Sequence, residues 1–205
     1  MYARSTTING DPGSIDAGIA HVRDEVLPMV TAMDGCLGMS LVVDRETGRC
    51  IATTSWETEA AIAASRMPVQ SLRSRATEIL GGGTPEVEEW EVAVMHRDHN
   101  SHEGCACRIV WARAQDLDAG VDYWRTSLLP RFEAMDGFCS ASMLVDRAGG
   151  RTCGTITFDS RAALEATRAT AAAMRESVGR AAGVEFLDVA EFDLVLAHLR
   201  LPELV

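Results

Sequence analysis

Residues 27–35 read LPMVTAMDG, and residues 129–137, which lie 102 positions later, read LPRFEAMDG. The same spacing continues without a gap as far as His96 and His198. Units of about a hundred residues are longer than the roughly 20 to 50 residues of solenoid repeats. The chain is therefore a tandem duplication of one small domain.

The duplication predicts the domain boundaries. We expect a first repeat at 1–97, a linker at 98–106 and a second repeat at 107–205. Each repeat is near the lower end of domain size, so the two gain stability by sharing a core.

Each repeat has the hydrophobic pattern of a ferredoxin-like unit. Apolar residues alternate in the predicted strands and recur at steps of three and four in the predicted helices, in the order βαββαβ. One such unit leaves an apolar sheet face bare, and a second copy in the same chain covers it. We therefore expect an α+β fold with two tandem ferredoxin-like (βαββαβ) units that form one intramolecular α+β barrel.

Proline and N-cap residues predict where the helices are interrupted and where they begin. Pro28 and Pro130 predict a kink or break in the first helix of each repeat. Thr58 and Ser160 predict the N-caps of the second helices. For the first strands, Tyr2-Ala3-Arg4 aligns with Trp111-Ala112-Arg113, which pairs Arg4 with Arg113 at a larger offset.

Composition excludes several classes of partner. The 205 residues include 30 Asp and Glu against 19 Lys and Arg, for a net charge of −11. Nucleic acids and anionic membranes both need a basic surface, so we expect neither as a partner. No apolar run approaches the roughly 18 residues of a membrane helix, and the first residues lack the apolar region of a signal peptide. We expect a cytoplasmic protein, with its six cysteines as buried free thiols.

Several segments resemble the antibiotic biosynthesis monooxygenase-like (ABM) domain of the dimeric α+β barrel superfamily. They are the helix end at 25–28, the turn at 33–35, the strand at 41–45 and the helix start at 56–61, together with Tyr2-Ala3-Arg4. The resemblance covers both repeats. It implies a pocket in each unit between sheet and helices, which superfamily members use for cofactor-free quinone-forming oxygenation or for haem degradation.

The departures from the family pattern bear on cofactors. Haem-degrading relatives use Trp and His on the second helix and Asn on the first strand. The second helices predicted here, at 59–80 and 161–182, contain no Trp, His, Asn or Tyr. Haem degradation is therefore disfavoured, and we expect no cofactor.

Two sets of residues are candidates for catalysis. His96 and His198 are the only histidines at matching positions, and each shares its strand parity with apolar residues, so each is placed to reach a cavity as a general base. Arg4 and Arg113 are placed to hold a carboxylate or phenolate. A histidine at a sheet edge and a solvated arginine remain the alternatives.

Aromatic residues near these positions are candidates for binding a ligand. They are Tyr2, Trp111, Trp56 and Phe158, and for Trp56 and Phe158 a place in the core is the alternative.

The linker concentrates possible metal ligands. His99, His102, Cys105 and Cys107 follow His96 at short intervals. Imidazole and thiolate are zinc ligands, but the spacing matches no known zinc finger and the first repeat has no counterpart. We predict no metal and keep these four residues as weak candidates.

The function expected is binding of a small apolar or aromatic molecule. Cofactor-independent monooxygenation of an aromatic or polyketide-like substrate is the activity that the resemblance implies. The alternative is a non-catalytic ligand-binding or protein-interaction module with side-chain-filled pockets. The chain forms a pseudo-dimer by itself, and a further homodimer is left open.

Overall fold

The computed structural model describes the backbone of residues 1–205 and all side chains except those of residues 181 and 182. The elements of the first repeat are β1 (Tyr2–Asn9), α1 (Ile15–His21), α2 (Leu27–Thr31), β2 (Cys36–Val43), β3 (Arg49–Trp56), α3 (Glu59–Ala64), α4 (Pro68–Leu80) and β4 (Glu86–Arg97). The elements of the second repeat are β5 (Ala106–Arg113), α5 (Leu117–Tyr123), α6 (Leu129–Glu133), β6 (Phe138–Asp146), β7 (Arg151–Phe158), α7 (Arg161–Ala166), α8 (Arg168–Ala182) and β8 (Glu185–Leu199).

The strands are hydrogen-bonded in the closed order β1-β3-β2-β8-β5-β7-β6-β4. The strands of the first repeat therefore follow one another as β4-β1-β3-β2, and those of the second as β8-β5-β7-β6. Both runs have the order of a ferredoxin-like sheet. The predicted α+β fold, its two ferredoxin-like units and its closed sheet are confirmed.

The chain divides into two compact units. Unit 1 is Met1–Trp90 with Leu194–Leu201, and unit 2 is Glu91–Asp193 with Pro202–Val205. Strands β4 and β8 thus each contribute residues to both units. None of the described helices combines the length and the apolar character that crossing a membrane requires.

The pairing of the first strands corrects their predicted alignment. Tyr2 lies opposite Trp56 in unit 1, and Ala106 lies opposite Phe158 in unit 2. Because Trp56 and Phe158 are equivalent, Tyr2 corresponds to Ala106 rather than to Trp111. The alignment by similar letters was wrong, since it matched a short sequence motif without the constraint of the neighbouring strand.

The helices accommodate proline through a local change of hydrogen bonding. Residues Val22–Val26 and Trp124–Leu128 form π-helical turns, and Pro28 and Pro130 follow at the second position of α2 and α6. In the π turn, the Leu27 amide donates to the carbonyl of Val22, five residues back. The predicted interruption is thus a π turn that leads into the proline rather than a chain break.

The expected helix caps are formed. Thr58 Oγ1 accepts from the Ala61 amide at 3.1 Å, and Ser160 Oγ accepts from the Ala163 amide at 3.1 Å. Gly81 and Gly183 end α4 and α8 in the left-handed conformation, which glycine adopts without strain. All six cysteines are free thiols, and five of them are buried.

Candidate ligand-binding site

Unit 2 contains a cavity of about 450 Å³ between its sheet and its helices. Apolar side chains from β5, β7, α6 and α8 make up most of its wall, including Val110, Ile156, Phe132 and Met174. Trp124 from the π turn contributes an aromatic face and packs against Phe132 with 5.6 Å between ring centroids. The size is within the roughly 300 to 1,000 Å³ of small-molecule sites.

The equivalent space in unit 1 measures only about 70 Å³. Ile8 and Val69 line it at the positions that Ala112 and Ala171 occupy in the larger cavity. The cavity of unit 2 is therefore larger in part because alanines on β5 and α8 replace the larger Ile8 and Val69 of unit 1.

A leucine closes part of the space in unit 1. Leu80 packs directly over Gly18, so that a Cβ on Gly18 would overlap Leu80 Cδ2. The equivalent glycine in unit 2, Gly120, lines the cavity, and a Cβ placed there would meet no heavy atom within 4 Å in the described structure. The cavity extends to the backbone of α5.

A buried arginine forms one wall of the unit 2 cavity. Arg108 is only 4% exposed. Its Nε and Nη2 donate to Glu191 Oε1 at 3.1 and 2.7 Å, Nη1 donates to Thr167 Oγ1 at 2.9 Å, and Nη2 also donates to the carbonyl of Leu164 at 3.2 Å. These acceptors compensate the buried charge and fix the guanidinium in place.

The same arrangement recurs in unit 1 around Arg4. Arg4 donates to Glu89, to Ser65 Oγ at 2.8 Å and to the carbonyl of Ile62 at 2.6 Å. The counterpart of Arg4 is therefore Arg108. The predicted match with Arg113 was wrong.

Arg113 lies apart from this network. Its side chain is 53% exposed and pairs with Glu185 at 3.2 Å. It is not among the residues that line the described cavities.

The carboxylates that bind the two buried arginines, Glu89 and Glu191, are held in their ionised form. Hydrogen bonds from Arg66 and Arg4 lower the pKa of Glu89 to about 2, although burial opposes the change. Burial alone would raise the pKa of Glu191, but Arg168 and Arg108 outweigh it and lower that pKa. Both glutamates belong to ion-pair networks.

A second cationic side chain faces the unit 2 cavity. Arg175 on α8 is half-buried, lines the cavity and makes no direct hydrogen bond or ion pair with a described residue. Burial and the charge of Arg108 lower the pKa of Arg175, partly offset by Glu191. Unlike Arg108, whose donors are engaged, Arg175 has N–H groups available for a ligand.

The predicted catalytic histidines lie outside the described cavities. His96 is held between Glu133 (Nε2 to Oε1, 2.8 Å) and Glu203 (Nδ1 to Oε2, 3.1 Å), and its ring stacks on Phe138. A register shift between Val92 and Val94 breaks the alternation on which its predicted inward direction depended. His198 is exposed.

The predicted aromatic ligands divide between core and cavity. Phe158 is fully buried and lines the unit 2 cavity. Trp56 is fully buried in the core of unit 1, where its Nε1 donates to Thr54 Oγ1 at 3.0 Å. Tyr2 packs against the same core, and Trp111 is half-buried. Tyr2, Trp56 and Trp111 are not among the residues that line the described cavities.

The weak metal candidates separate into two kinds. His99 and His102 lie next to Asp159 at the end of β7, and the Cys105 thiol forms one group of donor atoms with His102 and Asp159. Cys107 belongs to neither metal-capable group found among the described residues, and burial raises its pKa to about 12. Cys107 therefore stays a neutral thiol at physiological pH.

Sequence reasoning missed Arg108, Glu191 and Arg175. A signal for all three was present, because Glu191 and Arg175 repeat Glu89 and Arg73 at the 102-residue spacing. Charged residues kept at equivalent buried-face positions of both repeats indicate an internal network, and Arg108 is the basic residue on the first strand that completes it.

Comparison with known proteins gives the same fold and a close relative. A presumed monooxygenase from Lactobacillus acidophilus NCFM has a TM-score of 0.67 at 8% identity, with 97% of this chain and 96% of that chain covered. An anthrone oxidase-like protein has a TM-score of 0.63 at 15% identity, with 100% and 94% covered. At these identities the likeness concerns the fold.

Sequence comparison is more specific. The uncharacterized protein Rv2557 of Mycobacterium tuberculosis (strain ATCC 25618 / H37Rv) is 54% identical over 207 residues, which cover all of this chain and 92% of the relative. Residues 1–67 match the model of the family described as antibiotic biosynthesis monooxygenase. The chain therefore belongs to one family with this mycobacterial relative, and it contains an antibiotic biosynthesis monooxygenase (ABM) domain at residues 1–67.

Proposed function

We propose that unit 2 binds a small aromatic or polyketide-like molecule as its anion and oxygenates it without a cofactor. The observation that carries the proposal is the cavity of about 450 Å³, with its mostly apolar wall and the available guanidinium of Arg175. An apolar cavity with few polar groups selects a flat hydrophobic ligand, and the charge selects a phenolate or enolate.

Arg175 has a defined role in this proposal. A phenolate or enolate transfers electrons to dioxygen more readily than its neutral form, so stabilising the anion favours the reaction. In a partly desolvated site a guanidinium stabilises that anion more than it would in water. Arg108 contributes positive potential but keeps its donors on Glu191, Thr167 and the Leu164 carbonyl.

Anthrone is a suitable probe because it is flat, tricyclic and acidic through its enol form. Its methylene carbon loses two hydrogens and gains one oxygen atom from O₂, and the other oxygen atom leaves as water, which gives anthraquinone. Oxygen uptake and anthraquinone formation are measured with the wild-type protein, with Arg175→Met and with Arg73→Met. Arg73 is the equivalent residue beside the 70 Å³ space of unit 1, so its variant is the matched control.

We expect Arg175→Met to weaken anthrone binding by about 10-fold or more, which corresponds to the loss of one charge-assisted hydrogen bond. Arg73→Met should retain the wild-type affinity and rate. Equal affinities for the two variants would remove Arg175 from the site. Tight binding without oxygen uptake would favour the alternative function, a ligand-binding module.

The alternative rests on one specific observation. Neither His96 nor His198 is among the residues that line the cavity, and the acidic side chain in its lining, Asp116, already caps α5 by accepting from the Ala119 amide at 3.0 Å. A site with an anion-binding group and no positioned base is sufficient for binding.

A further inference from the structure

The segment between β4 and β5 brings nitrogen, oxygen and sulfur donors together at the end of β7. Two groups of metal-capable side chains occur there, one of His99, Cys139 and Asp159 and the other of His102, Cys105 and Asp159. Within each group the ligand atoms lie within 4.8 Å of one another, and Asp159 belongs to both.

The two imidazoles approach the same carboxylate oxygen. His99 Nε2 lies 2.7 Å and His102 Nε2 lies 3.6 Å from Asp159 Oδ1. Ligands at tetrahedral zinc are separated by about 3.3 Å for bonds of about 2.0 to 2.1 Å. Small side-chain movements therefore bring both nitrogens and the oxygen onto one ion.

The other nitrogen of each ring already has a partner. His99 Nδ1 lies 2.9 Å from Asp98 Oδ2, and His102 Nδ1 lies 2.9 Å from the carbonyl of Glu103. Partners of this kind hold a proton on Nδ1, which is the usual outer hydrogen bond of a metal-binding histidine. On Nε2 a metal ion would replace the proton that His99 donates to Asp159.

The hydrogen bonds of the two thiols distinguish the fourth ligand. Cys105 Sγ accepts from the backbone amide of His102 at 3.4 Å, an interaction that stabilises a thiolate. Cys139 Sγ donates to the carbonyl of His99 at 3.5 Å, which requires the protonated thiol. Cys105 is therefore the better zinc ligand.

We propose that His99, His102, Asp159 and Cys105 bind one Zn²⁺ in tetrahedral geometry. Four protein ligands leave no open coordination position, so the ion is structural and ties the segment 98–105 to the end of β7. The histidines are 39% and 55% exposed, which gives the ion access from solvent, whereas Cys105 is 1% exposed and anchors the site in the protein. Binding releases the proton of the Cys105 thiol.

Unit 1 has the scaffold of this site without the ligands. The amides of Glu57 and Asp159 make the same 2.8 Å hydrogen bond, to the carbonyls of Gly35 and Gly137. Glu57 occupies the position of Asp159, and among the described residues both metal-capable groups lie in unit 2. The proposal therefore concerns unit 2 alone.

The test uses the full chain, expressed without a histidine tag and stripped of metal with a chelator. Zn²⁺ is titrated in competition with a chromophoric chelator, and Co²⁺ is added separately as a spectroscopic probe. We expect about one equivalent of zinc per chain, a higher melting temperature with zinc, and the intense visible bands and thiolate charge-transfer band of tetrahedral cobalt.

Variants identify the ligands. His102→Ala changes an exposed side chain and should weaken zinc binding by at least about 10-fold, while the metal-free protein keeps the wild-type melting temperature. Cys105→Ser should remove the charge-transfer band. His96→Ala is the matched control, because His96 also lies between two carboxylates but belongs to neither metal-capable group found among the described residues, and this variant should bind zinc as the wild type does.

The proposal is overturned if the wild-type protein fails to compete for zinc or if His102→Ala binds as tightly as the wild type. It is also overturned in its choice of thiol if Cys139→Ser, rather than Cys105→Ser, removes the charge-transfer band.

Discussion

Arg108 shows how this protein keeps a charge in its interior. Each edge of its guanidinium faces an acceptor, and the carboxylate among them, Glu191, also binds Arg168. Removing one member of such a network leaves a buried charge without compensation, which costs more than the network contributes as a whole. The repetition of this arrangement at Arg4 indicates that it maintains the fold of each unit.

The pKa of Glu89 predicts how unit 1 responds to acid. Its folded-state pKa of about 2 is below the ordinary value of 4.5, so the ionised carboxylate stabilises the folded state above about pH 4.5. That stabilisation disappears as the pH falls from about 4.5 to about 2. We expect Glu89→Gln to lower the free energy of unfolding at pH 7 by on the order of 2 kcal/mol and to flatten its dependence on pH in this range.

Urea unfolding at a series of pH values measures the effect. Glu86→Gln is the control, because Glu86 is an exposed carboxylate on the same strand. Identical pH profiles for the two variants would show that Glu89 carries no special stabilisation.

At the scale of elements, the sequence correctly predicted the features that depend only on nearby residues. The caps Thr58 and Ser160 agree with the structure, because capping depends on nearby residues. The alignment of the two first strands was wrong because strand register is decided by the neighbouring strand. The predicted inward direction of His96 depended on a regular strand, and a register shift between Val92 and Val94 breaks that regularity. The sequence of β4 contains no residue that predicts this shift.

The glycines of α1 and α5 give a matched test of the space between helix and sheet. Gly18 and Gly120 are equivalent, but Leu80 fills the space over Gly18 only. Gly120→Ala should raise the free energy of unfolding by about 0.5 to 1 kcal/mol, since alanine favours a helix and its Cβ meets no described heavy atom within 4 Å. Gly18→Ala should lower it by about 1 to 3 kcal/mol, because Leu80 must move. Thermal unfolding of both variants checks the prediction, and a stabilised Gly18→Ala would contradict the packing described here.

For the whole molecule, the duplication predicted the architecture but not the position of the site. Residues kept in both repeats are largely those that both units need for folding, such as the aspartate and glycine of the turns at 34–35 and 136–137. The cavity, in contrast, arises from residues that differ between the repeats. The cavity volume depends on the sizes of several side chains from separate elements. No single stretch of sequence therefore predicts it.

If the units differ in function because side chains fill the cavity of unit 1, then larger side chains in the unit 2 cavity should abolish its ligand binding. Ala112→Ile with Ala171→Val copies Ile8 and Val69 into the cavity. We expect the double variant to lose anthrone binding and to keep or raise its melting temperature, because the added groups fill existing space. The reverse change, Ile8→Ala, should lower the free energy of unfolding by about 2 to 4 kcal/mol, since it leaves a cavity in a filled core. Anthrone titration with thermal unfolding separates the outcomes, and wild-type affinity in the double variant would place the ligand elsewhere.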